Sequence, residues 1–133
     1  MAVIPDNFLD LLQQKKKAFA DLATVMADGS PQVTPVWFDY ANGAIRVNTA
    51  KGRVKSRTLR PGAPVALAIM DPDNPYRYVQ IRGRVRSATE QGADAHIDAL
   101  AKKYLGQDKY PWLGGDTRVT YEIEPLTISS MDR

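Results

Sequence analysis

The amino-acid sequence predicts a mainly β domain with flanking helices, arranged as a small antiparallel barrel of six strands. Six runs of residues are apolar or alternate between apolar and polar side chains, and turn-forming residues separate them. Only two segments have the periodicity of a helix longer than one turn. A parallel sheet would need a helix after nearly every strand, so the antiparallel barrel is favoured. At 133 residues the chain is expected to form one domain, residues 1–133.

The N-terminal part of the chain is predicted to form one helix followed by a hairpin. The helix begins at Asp6 or Asn7, because either side chain can cap its first turn. Its apolar face consists of Phe8, Leu11 and Leu12. Its C-terminal end is basic and carries Lys15, Lys16 and Lys17. The hairpin consists of strands over residues 18–26 and 31–40. Pro35 has no N–H group, so the second strand is expected to lie at a sheet edge or to be bulged there.

A strand, a turn and a short helix follow the hairpin. The tight turn Asn42-Gly43 leads into a strand over residues 44–49, and a helix over residues 53–60 ends at Pro61-Gly62. Residues 46–60, the basic segment, contain no carboxylate but six basic side chains: Arg46, Lys51, Arg53, Lys55, Arg57 and Arg60. We therefore expect these side chains to bind an anion or to repel one another.

The turn between that strand and that helix is a predicted phosphate site. It directs backbone N–H groups and the positive end of a helix dipole toward one point. The Thr49 hydroxyl adds a hydrogen bond there, and further donors are Lys51, Arg53 and Lys55. The alternative is a basic helix that is simply exposed to solvent.

The second half of the chain is predicted to supply three more strands. They cover residues 64–70, 76–88 and 117–124. The middle one has two distinct faces. The core face carries Val79, Ile81, Gly83 and Val85, and the other face carries Tyr78, Gln80, Arg82, Arg84 and Arg86. The second face is therefore a basic stripe.

A long helix precedes the last strand, and a loop that we expect to close over a ligand joins the two. The helix starts at Ser87 or Thr89 and stops at Gly106. Its buried face has helical spacing: Ile97, Leu100, Ala101 and Tyr104. The loop over residues 107–116 combines mobile glycines with the large contact area of Trp112. The alternative is a loop that Trp112 pins into the core.

The composition excludes several classes of function. The chain has no cysteine, which removes disulfides, thiolate nucleophiles and cysteine metal sites. It has no spacing typical of metal ligands, no secretory pattern and no run of about eighteen apolar residues. We therefore predict no metal, no membrane span and a cytoplasmic location. The net charge is only +3 and the basic segment lacks aromatic residues, which favours a small anionic ligand over nucleic acid.

No residue pattern identifies a catalytic group. His96 is the only histidine and is expected at the surface or as a helix cap, so we assign it no role. Ser56 has no recognisable histidine and aspartate partners for nucleophilic catalysis. A phosphate site without a nucleophile or a metal is typical of proteins in which a bound cofactor carries the reaction.

Three parts of the sequence resemble a known family: residues 29–31 with 35–38, residues 48–49 with 52–60, and residues 78–83. They resemble the split-barrel flavin and deazaflavin enzymes related to pyridoxamine 5′-phosphate oxidase, and within that family the branch that binds coenzyme F420. The resemblance covers nearly the whole chain. It implies a homodimer of six-stranded antiparallel split β-barrels, with two cofactors in the grooves between the protomers.

The resemblance also implies where the cofactor binds. Thr49 and Lys55 fall at the cofactor phosphate, and Arg53 is a further cation there. Backbone groups of residues 34–37 meet the flavin-like ring, and Tyr78 reaches across from the other protomer. The predicted cofactor-binding residues are Thr34, Pro35, Val36, Trp37, Asn48, Thr49, Lys51, Arg53, Lys55, Arg57, Tyr78 and Trp112.

The function that we expect on this basis is an oxidoreductase in which reduced F420 passes a hydride to an unsaturated small molecule. The proton donor is left open between Tyr76, Tyr110 and water. The family's oxidase has an arginine at the position of Thr34 and a long C-terminal substrate segment, so pyridoxamine 5′-phosphate oxidase activity itself is not expected. The alternatives are an FMN-dependent reductase or oxidase of the same fold, a non-catalytic carrier of a cofactor or haem product, and a weak nucleic-acid binder.

Overall fold

The computed structural model describes residues 2–13 and 16–133. Its elements, in chain order, are a 3-10 turn (Asp6–Phe8), α1 (Leu9–Leu12), β1 (Ala20–Val25), β2 (Pro31–Val36), β3 (Asp39–Ala41), β4 (Ala44–Ala50), α2 (Val54–Thr58), β5 (Pro64–Asp71), β6 (Asn74–Thr89), α3 (Ala93–Leu105) and β7 (Arg118–Asp132). The seven strands form one antiparallel sheet in the order β2-β1-β5-β6-β7-β4-β3, which is not closed. The predicted class, a mainly β split barrel with flanking helices, is confirmed.

The strand count differs from the predicted six because the strand expected over residues 31–40 is two strands. β2 pairs with β1 and β3 pairs with β4, so the two lie at opposite edges of the sheet. The chain leaves the sheet between them, where Phe38 is fully buried. The Phe38 N–H donates to the Tyr104 hydroxyl, and its carbonyl accepts from Lys103 Nζ. Side chains of α3 thus replace the neighbouring strand as hydrogen-bond partners.

The predicted sheet edge at Pro35 is confirmed, because β2 is an edge strand. β5 is central, as its apolar run predicts, and lies between β1 and β6. β6 and β7 are the longest strands, and their register shifts at two bulges. Gly83 lies at one of these bulges, where a Cβ atom would collide with the Glu124 carbonyl. The last strand, expected over residues 117–124, runs on to Asp132 because its second half pairs with β6.

The helices begin at other residues than the sequence predicts. Neither Asp6 nor Asn7 caps the first helix with its side chain. The predicted basic end of that helix includes Lys15, which lies outside the described residues. The long helix begins at Ala93, because the chain stays in β6 up to Thr89. Its predicted end is confirmed, since Gly106 adopts a left-handed conformation with φ 71°.

A large hydrophobic core packs against the sheet, and a smaller cluster is formed by Ile97, Leu100 and Tyr104 of α3. The predicted inward face of β6 is buried, as are the four predicted residues of α3. The core side chains are Ile4, Phe8, Leu11, Leu12, Ala18, Ala20, Leu22, Phe38, Ile45, Val47, Leu59, Val65, Leu67, Ile69, Val79, Ile81, Val85, Val119, Tyr121 and Ile123. Among the described residues, no helix combines the length and apolar character that crossing a membrane requires.

Candidate functional site

A groove of about 200 Å³ lies where the ends of β2 and β4, the start of α2 and the loop before β7 meet. Its lining residues are Val36, Trp37, Asn48, Thr49, Arg53, Lys55, Ile97, Tyr110, Trp112 and Arg118. Seven of these are predicted cofactor-binding residues: Val36, Trp37, Asn48, Thr49, Arg53, Lys55 and Trp112. The fold therefore brings together, from three distant parts of the chain, most of the residues that the sequence singled out.

The groove continues into a second hollow of about 440 Å³ along α2. The two share Thr49, Arg53 and Lys55, so they form one continuous depression. Arg57, another predicted residue, lines this extension, and its Nη1 donates to the Gly52 carbonyl at 3.3 Å.

The remaining predicted residues do not line the groove. Thr34 and Pro35 lie on β2 just before it. Lys51 is exposed and forms an ion pair of 3.0 Å with Glu90. Tyr78 lies on β6, outside the depression. The expectation that Tyr78 acts from a second protomer stays a prediction.

The basic segment is less isolated than its sequence suggests. Arg46 forms two hydrogen bonds with Asp39, at 2.7 and 2.8 Å. Arg53 lies 3.7 Å from Asp116, and Lys51 pairs with Glu90. Half of the six cations therefore have a carboxylate partner from elsewhere in the chain: Arg46, Lys51 and Arg53. The acids come from residues that are distant in sequence or across a hairpin.

Lys55 differs from those three cations. It is half-buried, and none of the carboxylates in the described residues lies within ion-pair distance of it. Burial lowers the pKa of its ammonium group, and the nearby Arg53 lowers it further. An anion in the groove would reverse both effects, so Lys55 fits a bound phosphate or carboxylate.

The contribution of α2 itself is smaller than the sequence predicts. The helix has only five residues, Val54–Thr58, so its dipole is short. The Gly52 N–H points to the Ser56 hydroxyl at 3.0 Å instead of remaining free for a ligand. The positive charge at this end of the groove therefore comes from side-chain cations more than from backbone amides.

Aromatic rings form the opposite wall of the groove. Trp37 stacks on Tyr104 with centroids 5.2 Å apart and planes inclined by 6°. Tyr110 meets Trp37 edge-on at 6.0 Å, and Trp112 meets Tyr110 in the same way at 5.7 Å. Such a wall suits a flat conjugated ring, because offset or edge-on ring contacts are favourable.

The loop before β7 is anchored by Tyr110 and Leu113, and Trp112 is free of the core. The Tyr110 N–H donates to Asp98 Oδ1 at 2.9 Å. Tyr110 and Leu113 pack against the cluster formed by Ile97, Leu100 and Tyr104. Trp112 is 64% exposed. The alternative in which Trp112 pins the loop into the core is therefore wrong, and the closing-loop hypothesis stays a prediction.

Two residues of this region escaped the sequence analysis. Arg118, the first residue of β7, is only 5% exposed, and its Nε donates to Asn48 Oδ1 at 2.8 Å. Its guanidinium lies 5.1 Å from the centre of the Tyr110 ring. His96 is 6% exposed, so the expectation that it lies at the surface or caps a helix is wrong. Its position four residues before Leu100, on the buried face of α3, is the signal that could have revealed it.

A separate cavity of about 390 Å³ lies between α1, β3, β4 and α3. Its lining residues are Leu12, Gln13, Asp39, Tyr40, Arg46, Ala99, Leu100 and Lys103. It is larger than the groove but contains none of the predicted cofactor residues. Two of its three charged groups, Asp39 and Arg46, already bind each other. The groove is therefore the better candidate site.

Comparison with known proteins agrees with the fold and adds the family. No curated protein matches the chain. An F420 reductase of known structure is 32% identical, with a TM-score of 0.81 over 95% of this chain and 98% of that chain. A conserved hypothetical protein from Mycobacterium tuberculosis is 22% identical, with a TM-score of 0.73 over 98% of this chain and 86% of that one. The FAD and heme binding protein from Mycobacterium smegmatis is 17% identical, with a TM-score of 0.68 over 98% of this chain and 71% of that one.

The similarity to the last two structures shows the fold alone. The family is shown by a family model that matches almost the full length of the chain. The pyridoxamine 5′-phosphate oxidase family model matches residues 4–131. The resemblance expected from the three sequence segments is thereby confirmed. The chain belongs to the pyridoxamine 5′-phosphate oxidase family of flavin-type oxidoreductases.

Proposed function

We propose that this protein is an F420-dependent oxidoreductase that reduces an unsaturated small molecule. One observation carries the proposal: Lys55, a half-buried cation with no carboxylate partner in the described residues, faces a groove with a wall of aromatic rings. A phosphorylated compound with a flat conjugated ring is complementary to that pairing of charge and surface. The 32% identity to an F420 reductase supports a deazaflavin as that compound.

The phosphate end of the groove is formed by three residues. Lys55 and Arg53 supply charge, and Thr49 supplies a hydroxyl at the end of β4. Thr49 is buried at the end of its strand and Lys55 is half-buried in its helix, so the backbone holds both in place before a ligand arrives. Such preorganisation reduces the entropy that is lost on binding. We expect these residues to determine affinity more than rate.

The ring end is formed by the end of β2 and by the aromatic wall. Bound reduced F420 would supply a hydride to the acceptor. Val36 and Trp37 supply the surface against which the ring lies, and the stacking of Trp37 on Tyr104 keeps that surface rigid. Tyr110 and Trp112 exclude water from the same side. These residues orient the two reactants, which is the main task of the protein when a cofactor carries the chemistry.

Tyr110 is the better of the two phenols considered as proton donors. It lines the groove, whereas Tyr76 is 67% exposed on β6 and lies outside it. Within one protomer, the donor is therefore Tyr110 or water. A Tyr110→Phe variant keeps the ring contact with Trp37 and removes only the hydroxyl, so it distinguishes these two.

A homodimer is part of the proposal, because the groove is small and open. Sites for small organic ligands usually measure about 300–1,000 Å³ and enclose most of the ligand. The groove, which is the ring end of the depression, has only about 200 Å³, whereas the hollow of about 440 Å³ along α2 extends from its phosphate end. A second protomer would enclose the ring end, with Tyr78 as the contributed side chain. Light scattering should give twice the chain mass of 14.7 kDa. A monomer that binds the cofactor with normal affinity would contradict this arrangement.

FMN is the second candidate cofactor, because the phosphate end of the groove contains nothing that distinguishes one phosphate ester from another. Lys55, Arg53 and Thr49 would serve either. The choice therefore depends on the ring and on the tail beyond the phosphate. A non-catalytic carrier remains the alternative if a cofactor binds without turnover.

The decisive experiment is a side-by-side titration of the purified protein with F420 and with FMN, followed by a turnover assay. We expect quenching of F420 fluorescence at lower concentration than quenching of FMN fluorescence. Reduced F420 should then be oxidised in the presence of conjugated alkenes or quinones, at a rate proportional to protein. Tighter binding of FMN would favour the flavin alternative, binding without oxidation would favour the carrier, and no binding of either would refute the proposal.

A further inference from the structure

We propose that Arg118 is an anion-binding residue of the groove, and that His96 is its positioning residue, acting through the side chain of Asn48. The ligand group is an anionic oxygen of the bound cofactor. The identity of that cofactor rests on the proposed function. The arrangement of the three side chains is a property of the free protein and can be tested without any cofactor.

Arg118 has the geometry of a group that awaits an anion. It is buried in the wall of the groove, and its Nε is bound to Asn48 Oδ1 at 2.8 Å. Neither Nη atom donates to any of the described residues, and no described carboxylate lies within ion-pair distance. Burial lowers the pKa of the guanidinium, which nevertheless stays charged at any ordinary pH. A buried charge without a counter-ion is costly, and an anionic ligand would offset that cost.

The orientation of the Asn48 amide follows from its partners. Nδ2 lies 2.9 Å from the Ala93 carbonyl, which can only accept a hydrogen bond. Oδ1 lies 2.8 Å from Arg118 Nε, which can only donate. Turning the amide over would place acceptor against acceptor at Ala93 and donor against donor at Arg118. The amide therefore has one orientation, and that orientation holds Arg118.

The Asp39 carboxylate determines which nitrogen of His96 carries a proton. Nε2 lies 3.2 Å from Asp39 Oδ1, which only accepts, so Nε2 is the donor. In that tautomer Nδ1 is an acceptor, and it lies 3.1 Å from both Asn48 Nδ2 and the Thr120 hydroxyl. The second hydrogen of Asn48 Nδ2 is shared between Nδ1 and that hydroxyl, which is 3.4 Å from Nδ2. His96 thus links the carboxylate to the amide.

Asp39 completes the chain and stays ionised. Burial raises the pKa of its carboxyl group, but hydrogen bonds from His96 and Arg46 outweigh burial and leave that pKa below its ordinary value. The resulting sequence of donors and acceptors is Arg46, Asp39, His96, Asn48 and Arg118. His96 does not line the groove, so it can act on a ligand only through Asn48 and Arg118.

The test compares four variants and one control variant by their affinity for F420 and FMN at constant salt. Arg118→Met and His96→Leu should each weaken binding by about 10- to 100-fold, the effect of one hydrogen bond to a charged group. The double variant should bind no more weakly than Arg118→Met alone, because both changes remove the same contact. His96→Asn places an amide oxygen near the position of Nδ1, so it should retain the affinity that His96→Leu loses. The matched control is Arg84→Met, which should bind normally. Arg84 is exposed on β6 and paired with Glu124.

The phosphate and the ring are distinguished by repeating the titrations with riboflavin and with F420 from which the phosphate and its tail have been removed. If Arg118→Met weakens only the phosphorylated forms, the arginine binds the phosphate. If it weakens both forms equally, the arginine binds a ring oxygen. If the Arg118→Met variant binds every form as tightly as the parent does, the proposal is wrong.

Nitrogen NMR of the free parent protein tests the arrangement even if a variant fails to fold or no cofactor binds. We expect His96 to carry its proton on Nε2, and the Arg118 Nε–H signal to have the shift of a hydrogen-bonded proton. A bare Nε2, or an Arg118 Nε–H that makes no hydrogen bond, would overturn the positioning role. If the parent protein binds neither cofactor but shows the expected NMR signals, the proposed function is refuted and the arrangement of the three side chains is not.

Discussion

Trp37 and Tyr104 stack face to face, and the hydroxyl of Tyr104 ties together the two chain segments that flank this contact. The hydroxyl donates to the Ala18 carbonyl at 2.6 Å and lies 3.3 Å from the Phe38 N–H, which donates to it. One residue of α3 therefore fixes the chain before β1, the crossing between β2 and β3, and one wall of the groove. The rigidity of the groove and the stability of the fold depend on the same side chain.

Tyr104→Phe should lower the free energy of unfolding by about 1–3 kcal/mol, because it leaves the buried Phe38 N–H and Ala18 carbonyl without this partner. The ring and its contact with Trp37 remain, so cofactor affinity should change much less than stability. Urea denaturation measures the first quantity and fluorescence titration the second. Tyr76→Phe, at an exposed tyrosine, is the control. Equal stability of the two variants would show that the hydroxyl bonds contribute nothing.

Much of the fold could be predicted because strand periodicity is a local property. Val79 and Arg82 face opposite sides of β6, as strict alternation requires. The division of residues 31–40 into two strands could not be predicted in this way. It depends on hydrogen bonds from Phe38 to residues 65 and 66 positions away. Nothing in the neighbourhood of Phe38 indicates that α3 supplies those partners.

The residues of the candidate site also differ in whether local sequence identifies them. Lys55 and Thr49 could be identified from sequence because strand, turn and helix are contiguous there. Arg118 could not, since its contact with Asn48 joins residues 70 positions apart. The hydrogen-bond partners of His96 could not be predicted either, because Asp39 on β3 and Asn48 on β4 are distant from α3 in sequence. Contacts between distant segments decide which polar residues are buried, and no local pattern encodes them.

Lys55→Ala should weaken binding of the cofactor by about 1.5–3 kcal/mol, the usual contribution of a hydrogen bond to a charged group. The matched control is Lys51→Ala, in the same basic segment but exposed and paired with Glu90. Both variants remove one positive charge, so their comparison separates direct contact from general electrostatic attraction. The measurement is a fluorescence titration at fixed ionic strength. If the two variants bind equally well, Lys55 does not contact the phosphate.

Trp112→Ala should leave the melting temperature nearly unchanged and should reduce turnover or the affinity for the acceptor. The indole is 64% exposed and touches the rest of the loop through an edge-on contact with Tyr110. Leu113→Ala, the next residue, is the contrasting variant, because Leu113 packs against Ile97 and Leu100. It should melt earlier. A Trp112→Ala protein with normal kinetics would refute the closing-loop hypothesis.

Lys103 should give the protein an unusual dependence of stability on alkaline pH. The residue is 6% exposed, and its ammonium group donates to the Phe38 carbonyl at 2.9 Å and lies over the Phe38 ring. Burial lowers its pKa from 10.5 to about 8, against an opposing effect of Asp39. Between these two values the unfolded chain binds more protons than the folded protein. The free energy of unfolding should therefore rise with pH across that interval.

The expected rise is measured against a Lys103→Met variant, which cancels the titration of every other group. Below about pH 8 both states of the parent are protonated, and above about pH 10.5 both are neutral, so the difference between parent and variant should change only between those limits. One unit of pKa difference corresponds to about 1.4 kcal/mol, so the change is limited to a few kcal/mol. Lys102→Met, at an exposed lysine paired with Asp108, should show no such interval. A parent that loses stability relative to Lys103→Met over this range would mean that the lysine stays protonated in the fold, held by Asp39 and the Phe38 carbonyl.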